Sequence, residues 1–263
     1  MPHSFDPGYG AQPFRGLCEN YADETVYPFV AFRVEWGPVF HRGRLDGSAR
    51  VLVIGQDPAQ HETIARRVLV GEAGHRVQGF LAKLGMDRSY VIINTFLYSA
   101  YNQPKAATHV TDATLAAYRH QWLDALLVGS QVEAVVALGN MADTAWQKWK
   151  TITTGAASTV FYRKIIHPTA PRTNADLVHM LQDWNAGLQA LHPVIHHPDT
   201  ARPLVLYGTS FAAGEKPDIP EGDLPPGSPA WMRTDDGWAA RTGSNAAEKR
   251  LTIKVTVPAG VVP

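Results

Sequence analysis

The sequence contains a single cysteine, Cys18, in 263 residues. One thiol excludes an internal disulfide framework, a cysteine-rich zinc site and a four-cysteine iron–sulfur cluster. No run of 18 apolar residues occurs, and no basic region followed by an apolar one opens the chain. A membrane span and a secretion signal are therefore not expected. These absences predict a cytoplasmic protein that has no membrane partner, and we expect it to be a monomer.

An excess of charge is also lacking, since 24 basic residues balance 24 acidic ones. The net charge thus neither favours nor opposes a nucleic-acid partner, and any contact with phosphate must be local. No glycine-rich phosphate fingerprint follows the first apolar run, which disfavours a nucleotide-dependent small-molecule enzyme. The histidines at 192, 196 and 197 do not have the spacing of a metal site. We expect no metal and no cofactor.

Short apolar runs predict the strands of one sheet. They cover residues 51–54, 90–94, 132–138 and 161–166, and apolar stripes of helical spacing follow them at 77–84, 115–126, 141–149 and 177–191. Asn140 with Asp143 three residues later predicts a capped start for one of these helices. Alternating strands and helices with short links form a parallel sheet that is covered on both faces. We therefore predict an α/β fold, a three-layer α/β/α sandwich with a central four-stranded parallel sheet.

The residue pattern of the sequence changes near residue 196, which divides the chain into two parts. Residues 1–195 form the predicted main domain, with an aromatic N-terminal lead-in and a core at 50–192. Residues 196–263 form a predicted C-terminal extension that packs on this core. The extension contains strand candidates at 204–207 and 251–257, of which the second alternates apolar and polar residues. The sequence does not indicate the function of this extension.

Polar residues follow the predicted strands at their carboxyl ends. The first strand leads to Gln56 and Asp57, the second ends at Asn94, and the fourth leads to His167. The carboxyl ends of parallel strands share one edge of the sheet, where open α/β sheets bind ligands. An acid, an amide and a histidine are therefore predicted to meet there. The alternative is that Gly-Gln-Asp-Pro at 55–58 is only a turn.

The order of these motifs resembles that of the uracil-DNA glycosylase superfamily. Gly-Gln-Asp-Pro at 55–58 resembles the start of the Gly-Gln-Asp-Pro-Tyr-His motif, and His-Pro-Thr-Ala-Pro at 167–171 resembles the His-Pro-Ser-Pro-Leu-Ser loop. Asn94 matches the base-reading asparagine. Arg-Val-Leu-Val-Gly-Glu-Ala-Gly at 67–74 resembles a motif of the iron–sulfur branches. The resemblance covers residues 50–192 and identifies an atypical bacterial branch without a cluster.

The resemblance implies a monofunctional glycosylase that flips uracil out of single- or double-stranded DNA and hydrolyses its N-glycosidic bond. Each candidate residue then has an expected role. The predicted catalytic residues are Asp57 and His167, the substrate-binding residues are Gln56, Asn94, Leu69 and Ala59, and the DNA-binding residues are Thr169, Pro171 and Arg172. Pro171 is the candidate wedge and Arg172 the candidate phosphate contact.

Two departures from the family pattern keep other functions open. Ala59 stands where the best-known branch has a tyrosine that excludes thymine, and Leu69 stands where the iron–sulfur branches have a stacking phenylalanine. The same fold could therefore act on thymine opposite guanine or on hypoxanthine. A second alternative is a protein that binds uracil-DNA without turnover.

Overall fold

The strands of the protein follow the apolar runs of the sequence. In the computed structural model, which describes residues 10–260, they are β1 (His41–Gly43), β2 (Val51–Gly55), β3 (Tyr90–Asn94), β4 (Ala134–Leu138), β5 (Phe161–Ile165), β6 (Ala239–Arg241) and β7 (Ile253–Val255). Every residue of β2, β3 and β4 is buried. Strands buried on both faces read as continuous apolar runs, which explains why the sequence predicts them well.

The main sheet has the order β1-β3-β2-β4-β5. Strands β3, β2, β4 and β5 are parallel, as predicted. In this register Gly55 at the end of β2 lies beside Asn94 at the end of β3. The sheet therefore brings the polar strand ends to one edge.

Strand β1 was not predicted from the sequence, and it adds an antiparallel edge to the four parallel strands. It pairs with β3 through His41 opposite Ile93 and Gly43 opposite Val91. A His-Arg-Gly tripeptide resembles a turn rather than a strand, yet all three of its residues are buried. Gly43 has φ +93°, and a Cβ there would lie 2.3 Å from the Tyr90 carbonyl oxygen, so only glycine fits this close pairing.

Helices cover both faces of the sheet. They are α1 (Phe14–Glu19), α2 (Gln60–Ala65), α3 (Glu72–Lys83), α4 (Gln103–Thr108), α5 (Ala113–Leu127), α6 (Gly139–Lys150), α7 (Thr153–Ala157), α8 (Asn174–Leu191) and α9 (Ala246–Leu251). One face of the sheet packs against α5 and α6, through Trp122 and Trp146. The other face packs against α3 and α8, through Phe80 and Trp184. This is the predicted three-layer sandwich.

The predicted cap of α6 is wrong. The helix begins at Gly139, directly after β4, and no side chain caps it. Asn140 is exposed in the first turn. Asp143 instead accepts a hydrogen bond from Tyr162 on β5 at 2.7 Å and lies 3.3 Å from the ammonium of Lys164.

The C-terminal part holds two strands, but only one of them lies in a predicted range. Residues 204–207 are extended but form no strand, since Tyr207 pairs its backbone with the Asn185 side chain of α8 instead of with a strand. Of the predicted 251–257 strand only β7 forms, because Leu251 ends α9. β7 pairs with β6 in an antiparallel hairpin. β6 lies against α2, and Trp238 and Ala239 form a third core with Ala65 and Val70.

A buried ion pair joins the C-terminal part to the main sheet. Arg42 of β1 donates to the Asp223 carboxylate at 3.1 Å, and Tyr90 of β3 donates to the same oxygen at 2.5 Å. The side chains of Arg42 and Asp223 are fully buried. Such a pair fixes the position of the segment that carries Asp223 relative to the sheet.

Across residues 10–260, none of the helices combines the length and the apolar character needed to cross a bilayer. The division of the chain at residue 195 stays a prediction. Residues 1–9 and 261–263 of the two proposed parts lie outside the described residues.

Candidate active site

A cavity of about 730 Å³ opens at the carboxyl ends of the parallel strands. Most of the residues predicted from the sequence line it: Gln56, Asp57, Ala59, Leu69, His167, Thr169 and Arg172. They come from the turns after β2 and β5 and from the loop before α3. Of the acid, the amide and the histidine that were predicted to meet, the structure brings Asp57 and His167 to one cavity, whereas Asn94 does not line it.

Asp57 is held by two donors from the segment that follows β3. The amide of Ala100 donates to one carboxylate oxygen at 2.8 Å, and Nε2 of Gln103 donates to the other at 2.9 Å. Burial raises the pKa of Asp57 above its ordinary value, and these hydrogen bonds oppose that rise without cancelling it. The carboxylate is thus fixed in direction and kept at the cavity wall.

His167 is held as a neutral imidazole. Burial lowers its pKa from 6.5 to about 4, so the ring is uncharged at neutral pH. The amide of Thr169 donates to Nδ1 at 3.3 Å. Because an amide can only donate, Nδ1 accepts and the ring proton lies on Nε2. His167 therefore presents an N–H donor from its other ring nitrogen.

Gln56 and His167 approach each other across a glycine at the start of α6. Gly139 has φ +81°, and a Cβ there would lie 2.7 Å from Nε2 of Gln56 and 3.0 Å from Cβ of His167. Nε2 of Gln56 lies 3.4 Å from the Leu138 carbonyl oxygen, at the limit of a hydrogen bond. The absence of a side chain at Gly139 lets the residues after β2 and β5 lie side by side.

The loop before α3 carries Leu69 into the cavity in a strained conformation. Leu69 has φ +53°, in the left-handed region that non-glycine residues rarely adopt. Glu62 of α2 braces this loop: its Oε1 accepts from the amides of Val70 at 2.9 Å and Gly71 at 3.1 Å. Its Oε2 accepts from the Ala59 amide at 2.9 Å. Strain that is held by its surroundings is typical of a functional site.

Asn94 does not line the large cavity. Its side chain lies beside Gly55, where a Cβ would come within 2.3 Å of the Asn94 amide oxygen. The amide is buried, and neither its oxygen nor its nitrogen has a hydrogen-bond partner among the described residues. Leaving both atoms unpaired costs about 1–3 kcal/mol per group. The structure thus places a free donor and acceptor next to the strand end that leads to Asp57.

The loop after β5 contributes Thr169 and Arg172 to the cavity, whereas Pro171 is outside its lining. Arg76 of α3 donates to the Pro168 carbonyl oxygen and so anchors the loop from outside. Asp176, in the first turn of α8, accepts from the Arg172 amide at 3.0 Å. Arg172 is exposed, so its guanidinium can contact a ligand at the cavity mouth.

Sequence reasoning missed several residues of the cavity. Gln103, His61 and Glu62 line it, and the C-terminal part adds Thr234, Asp235, Gly237 and Ala239. Nε2 of His61 accepts from the Ala239 amide at 3.2 Å, and the ring packs edge-on against Trp238. A carboxylate three residues after Ala59 is a helix-start signal that could have identified Glu62. No local pattern marks the segment 234–239.

Residues 10–260 contain no cluster of three His, Cys, Asp or Glu side chains that could hold a metal ion. The histidines near the end of α8 have another role. His197 pairs with Glu133, which also accepts from the His196 amide at 2.7 Å. These contacts join the chain after α8 to the segment that leads into β4.

The family model of the uracil DNA glycosylase superfamily matches residues 42–195. This range covers more than half of the chain, and it includes β2–β5, the last two residues of β1, the loop of Leu69 and the loop of His167. No curated protein matches the chain.

Proposed function

This chain belongs to the uracil DNA glycosylase superfamily, and on that premise we propose that it removes uracil from DNA by hydrolysis of the N-glycosidic bond. Membership supports a DNA glycosylase of base excision repair; the choice of uracil is our proposal. The single observation that carries it is the placement of Asp57 and neutral His167 in one cavity. A base inside a duplex is out of reach, so the nucleotide must be flipped into this cavity.

Asp57 acts on the sugar side of the bond. As the base departs, positive charge develops on the sugar, and a fixed carboxylate stabilises that charge and orients the attacking water. The C–N bond breaks with its electron pair leaving on the base, and the oxygen of the water bonds to the anomeric carbon. The Asp57 carboxylate takes the proton of the water, and this proton then passes to the departed base anion. The donors Ala100 and Gln103 hold the carboxylate without neutralising it. No lysine lies in the cavity lining described here, which favours water over an amine nucleophile and therefore a monofunctional enzyme.

His167 acts on the base side. Negative charge develops on the uracil carbonyl oxygen, and a donor already aimed at that position stabilises it. The Nε2–H of neutral His167 suits this role, because the contact of Nδ1 with the Thr169 amide fixes the tautomer. A neutral donor also avoids charging the imidazole in a buried site, where burial disfavours the cation.

Asn94 reads the base edge in this proposal. An amide supplies both a donor and an acceptor, which matches the edge of uracil and opposes the reversed pattern of cytosine. The unpaired, buried amide next to Gly55 supports this assignment. Because Asn94 lies outside the cavity lining, base entry must bring the uracil edge up to the strand ends of β2 and β3.

Gln56, Ala59 and Leu69 surround the base. Gln56 lies at the strand-end side, and Leu69 offers an aliphatic surface to the ring. Ala59 is exposed and leaves space where a larger side chain would exclude a methyl group. This space, in a cavity of about 730 Å³, favours a second candidate function: the same reaction on thymine opposite guanine or on hypoxanthine.

Thr169, Pro171 and Arg172 contact the DNA strand, with Arg172 on a phosphate. A single phosphate contact changes the slope of log affinity against log salt by about 1. We expect Arg172→Ala to weaken binding to any DNA sequence and to reduce that slope by about 1. Fluorescence anisotropy at several salt concentrations measures it; an unchanged slope would remove Arg172 from the DNA interface.

The test is base release from oligonucleotides that contain one uracil, in single- and double-stranded form. Alkali converts each abasic site into a strand break, and free uracil is measured by mass spectrometry. We expect breaks after alkali only, and none above background with Asp57→Asn. Uracil release that is no faster than with this variant would end the proposal. Parallel substrates with thymine opposite guanine and with hypoxanthine decide the second candidate.

A further inference from the structure

The C-terminal part reaches the candidate active site at two places. Residues 234–239 form one wall of the cavity. The second place is the end of β6, where the guanidinium of Arg241 contacts Ser99, the neighbour of the residue whose amide bonds to Asp57. The sequence gives no role to this part of the chain, and the family model ends at residue 195.

The segment that holds Asp57 is itself held by Arg33 of the lead-in. The Arg33 amide donates to the Ser99 carbonyl oxygen at 2.8 Å. The Arg33 guanidinium donates to the Ser99 hydroxyl at 3.3 Å and to the Ala100 carbonyl oxygen. Ala100 is the residue whose amide bonds to Asp57. A shift of the Ser99–Ala100 peptide would therefore move or release the carboxylate.

Arg241, from the C-terminal part, contacts the Ser99 side chain next to this peptide. Its Nη2 donates to the Ser99 hydroxyl at 3.3 Å, beside the bond from Arg33. Its Nη1 lies 3.4 Å from the Arg250 carbonyl oxygen. Burial lowers the pKa of Arg241 to about 10, so the guanidinium remains protonated at neutral pH. Two cations thus converge on one hydroxyl next to the Asp57 support.

Arg250 anchors this arrangement to the lead-in. Its guanidinium donates to the carbonyl oxygens of Phe29 at 2.8 Å and Phe32 at 2.7 Å, and it pairs with Glu35 at 2.5 Å. Only 6% of Arg250 is exposed. The β6–β7 hairpin, α9 and the lead-in are therefore tied together around one buried guanidinium, and Arg241 extends from this anchored hairpin.

We propose that Arg241 is a positioning residue of the active site: together with Arg33 it holds the Ser99–Ala100 peptide so that the Ala100 amide fixes the Asp57 carboxylate. The C-terminal part is then a functional component of the site rather than an appendage. This inference rests on the proposed function for its catalytic consequence, and the position of the peptide can be tested without a substrate.

The experiment compares Arg241→Met, Arg241→Lys and the matched control Lys254→Met, which removes an exposed cation from β7 of the same hairpin. Single-turnover uracil release at saturating enzyme measures the chemical step, and anisotropy measures DNA affinity. A displaced catalytic group costs on the order of 10²-fold in rate. We expect Arg241→Met to lose on the order of 10²-fold in rate with little change in affinity, and Arg241→Lys to recover about tenfold of that loss. Lys254→Met should match the wild type.

Amide hydrogen exchange at Ala100, followed in the full chain without DNA, provides the second measurement. We expect faster exchange at this amide in Arg241→Met than in wild type and Lys254→Met, at unchanged thermal midpoint. Wild-type rate together with wild-type exchange in Arg241→Met would overturn the inference. A loss of DNA affinity equal to the loss of rate would also overturn it. If wild type releases no uracil, the proposed function fails, and the Ala100 exchange alone decides whether Arg241 positions the peptide.

Discussion

Asp57 and Asp223 are two carboxylates whose pKa is raised by burial, and they lie in different surroundings. Asp223 is sealed between Arg42 and Tyr90, and its side chain is not exposed at all. Asp57 is held by an amide and by the Gln103 side chain, and one side of it faces the cavity. Arg42 and Asp223 are paired out of contact with solvent, although Oδ1 of Asp223 and Nε and Nη2 of Arg42 have no hydrogen-bond partner among the described residues, whereas Asp57 has a side open to the cavity.

The difference teaches that a shifted pKa alone does not identify a catalytic group. Buried structural ion pairs perturb pKa values just as active sites do. What separates the two carboxylates is access and the nature of the partner. A fully desolvated guanidinium bonds directly to Asp223, whereas Asp57 bonds to a backbone amide and to the Gln103 side chain and interacts with the Arg33 guanidinium only through space. Substitution of each carboxylate should therefore affect a different property of the protein.

Asp57→Asn should have the largest effect, and on activity alone. Removing a charged group that stabilises the sugar cation and orients water costs about 10³–10⁴-fold in rate, or ~4–5.5 kcal/mol in the barrier. The free energy of unfolding should stay within about 1 kcal/mol of wild type, because the buried charge is itself costly to keep. Single-turnover release and urea unfolding measure the two quantities. A large loss of stability would place Asp57 in the same class as Asp223.

Asp223→Ala should show the reverse. It leaves Arg42 buried without its carboxylate, with Gln78 at 3.1 Å as a remaining acceptor. Breaking a buried pair in this way costs about 3–5 kcal/mol of unfolding free energy. Activity per folded molecule should be unchanged, since Asp223 lies outside the cavity lining. Urea unfolding and an assay corrected for the folded fraction check this. Loss of activity at full folding would mean that the ion pair also shapes the site.

The contrast between Asp57 and Asp223 also explains what could be predicted from the sequence. β2, β3 and β4 are recognisable because each is a continuous apolar run, and the polar residues after β2 and β5 follow from the edge that parallel strands share. The approach of Asp57 and His167 was therefore predictable without any contact being known. The cytoplasmic location and the monomeric state stay predictions.

Partners across the chain could not be predicted. Arg42 and Asp223 are 181 positions apart, and Arg241 lies 142 positions from Ser99. No local periodicity records such a contact. The three residues of β1 are too few to show a pattern. Asn94 matches its motif, but its position relative to the cavity depends on the register of β3, which the sequence does not show. Local patterns predict the helices and strands and the residues that follow them. Contacts between residues distant in the sequence determine which side chains surround these residues.

His167→Ala tests the base side of the N-glycosidic bond, as Asp57→Asn tests the sugar side. Loss of one preorganised donor costs about 10²–10³-fold in rate, or ~2.7–4 kcal/mol. His167→Gln should retain more activity because its amide can still donate. Single-turnover release from the same uracil oligonucleotide measures both variants. Equal rates for His167→Ala and wild type would show that His167 takes no part in the reaction and would leave Asp57 without a partner in the cavity.

The smallest effect concerns stability at low pH. The folded pKa of His167 is about 4, below the 6.5 of the unfolded chain. As pH falls from 6.5 towards 4, His167 becomes protonated in the unfolded state but not in the folded state. The free energy of unfolding therefore decreases over that pH range. His167→Gln cannot titrate and should lose less unfolding free energy between pH 6.5 and 4 than wild type. Urea unfolding at several pH values measures the difference. Parallel curves for the two proteins would show that the imidazole is already solvated, and the neutral donor assigned to His167 would then lack its physical basis.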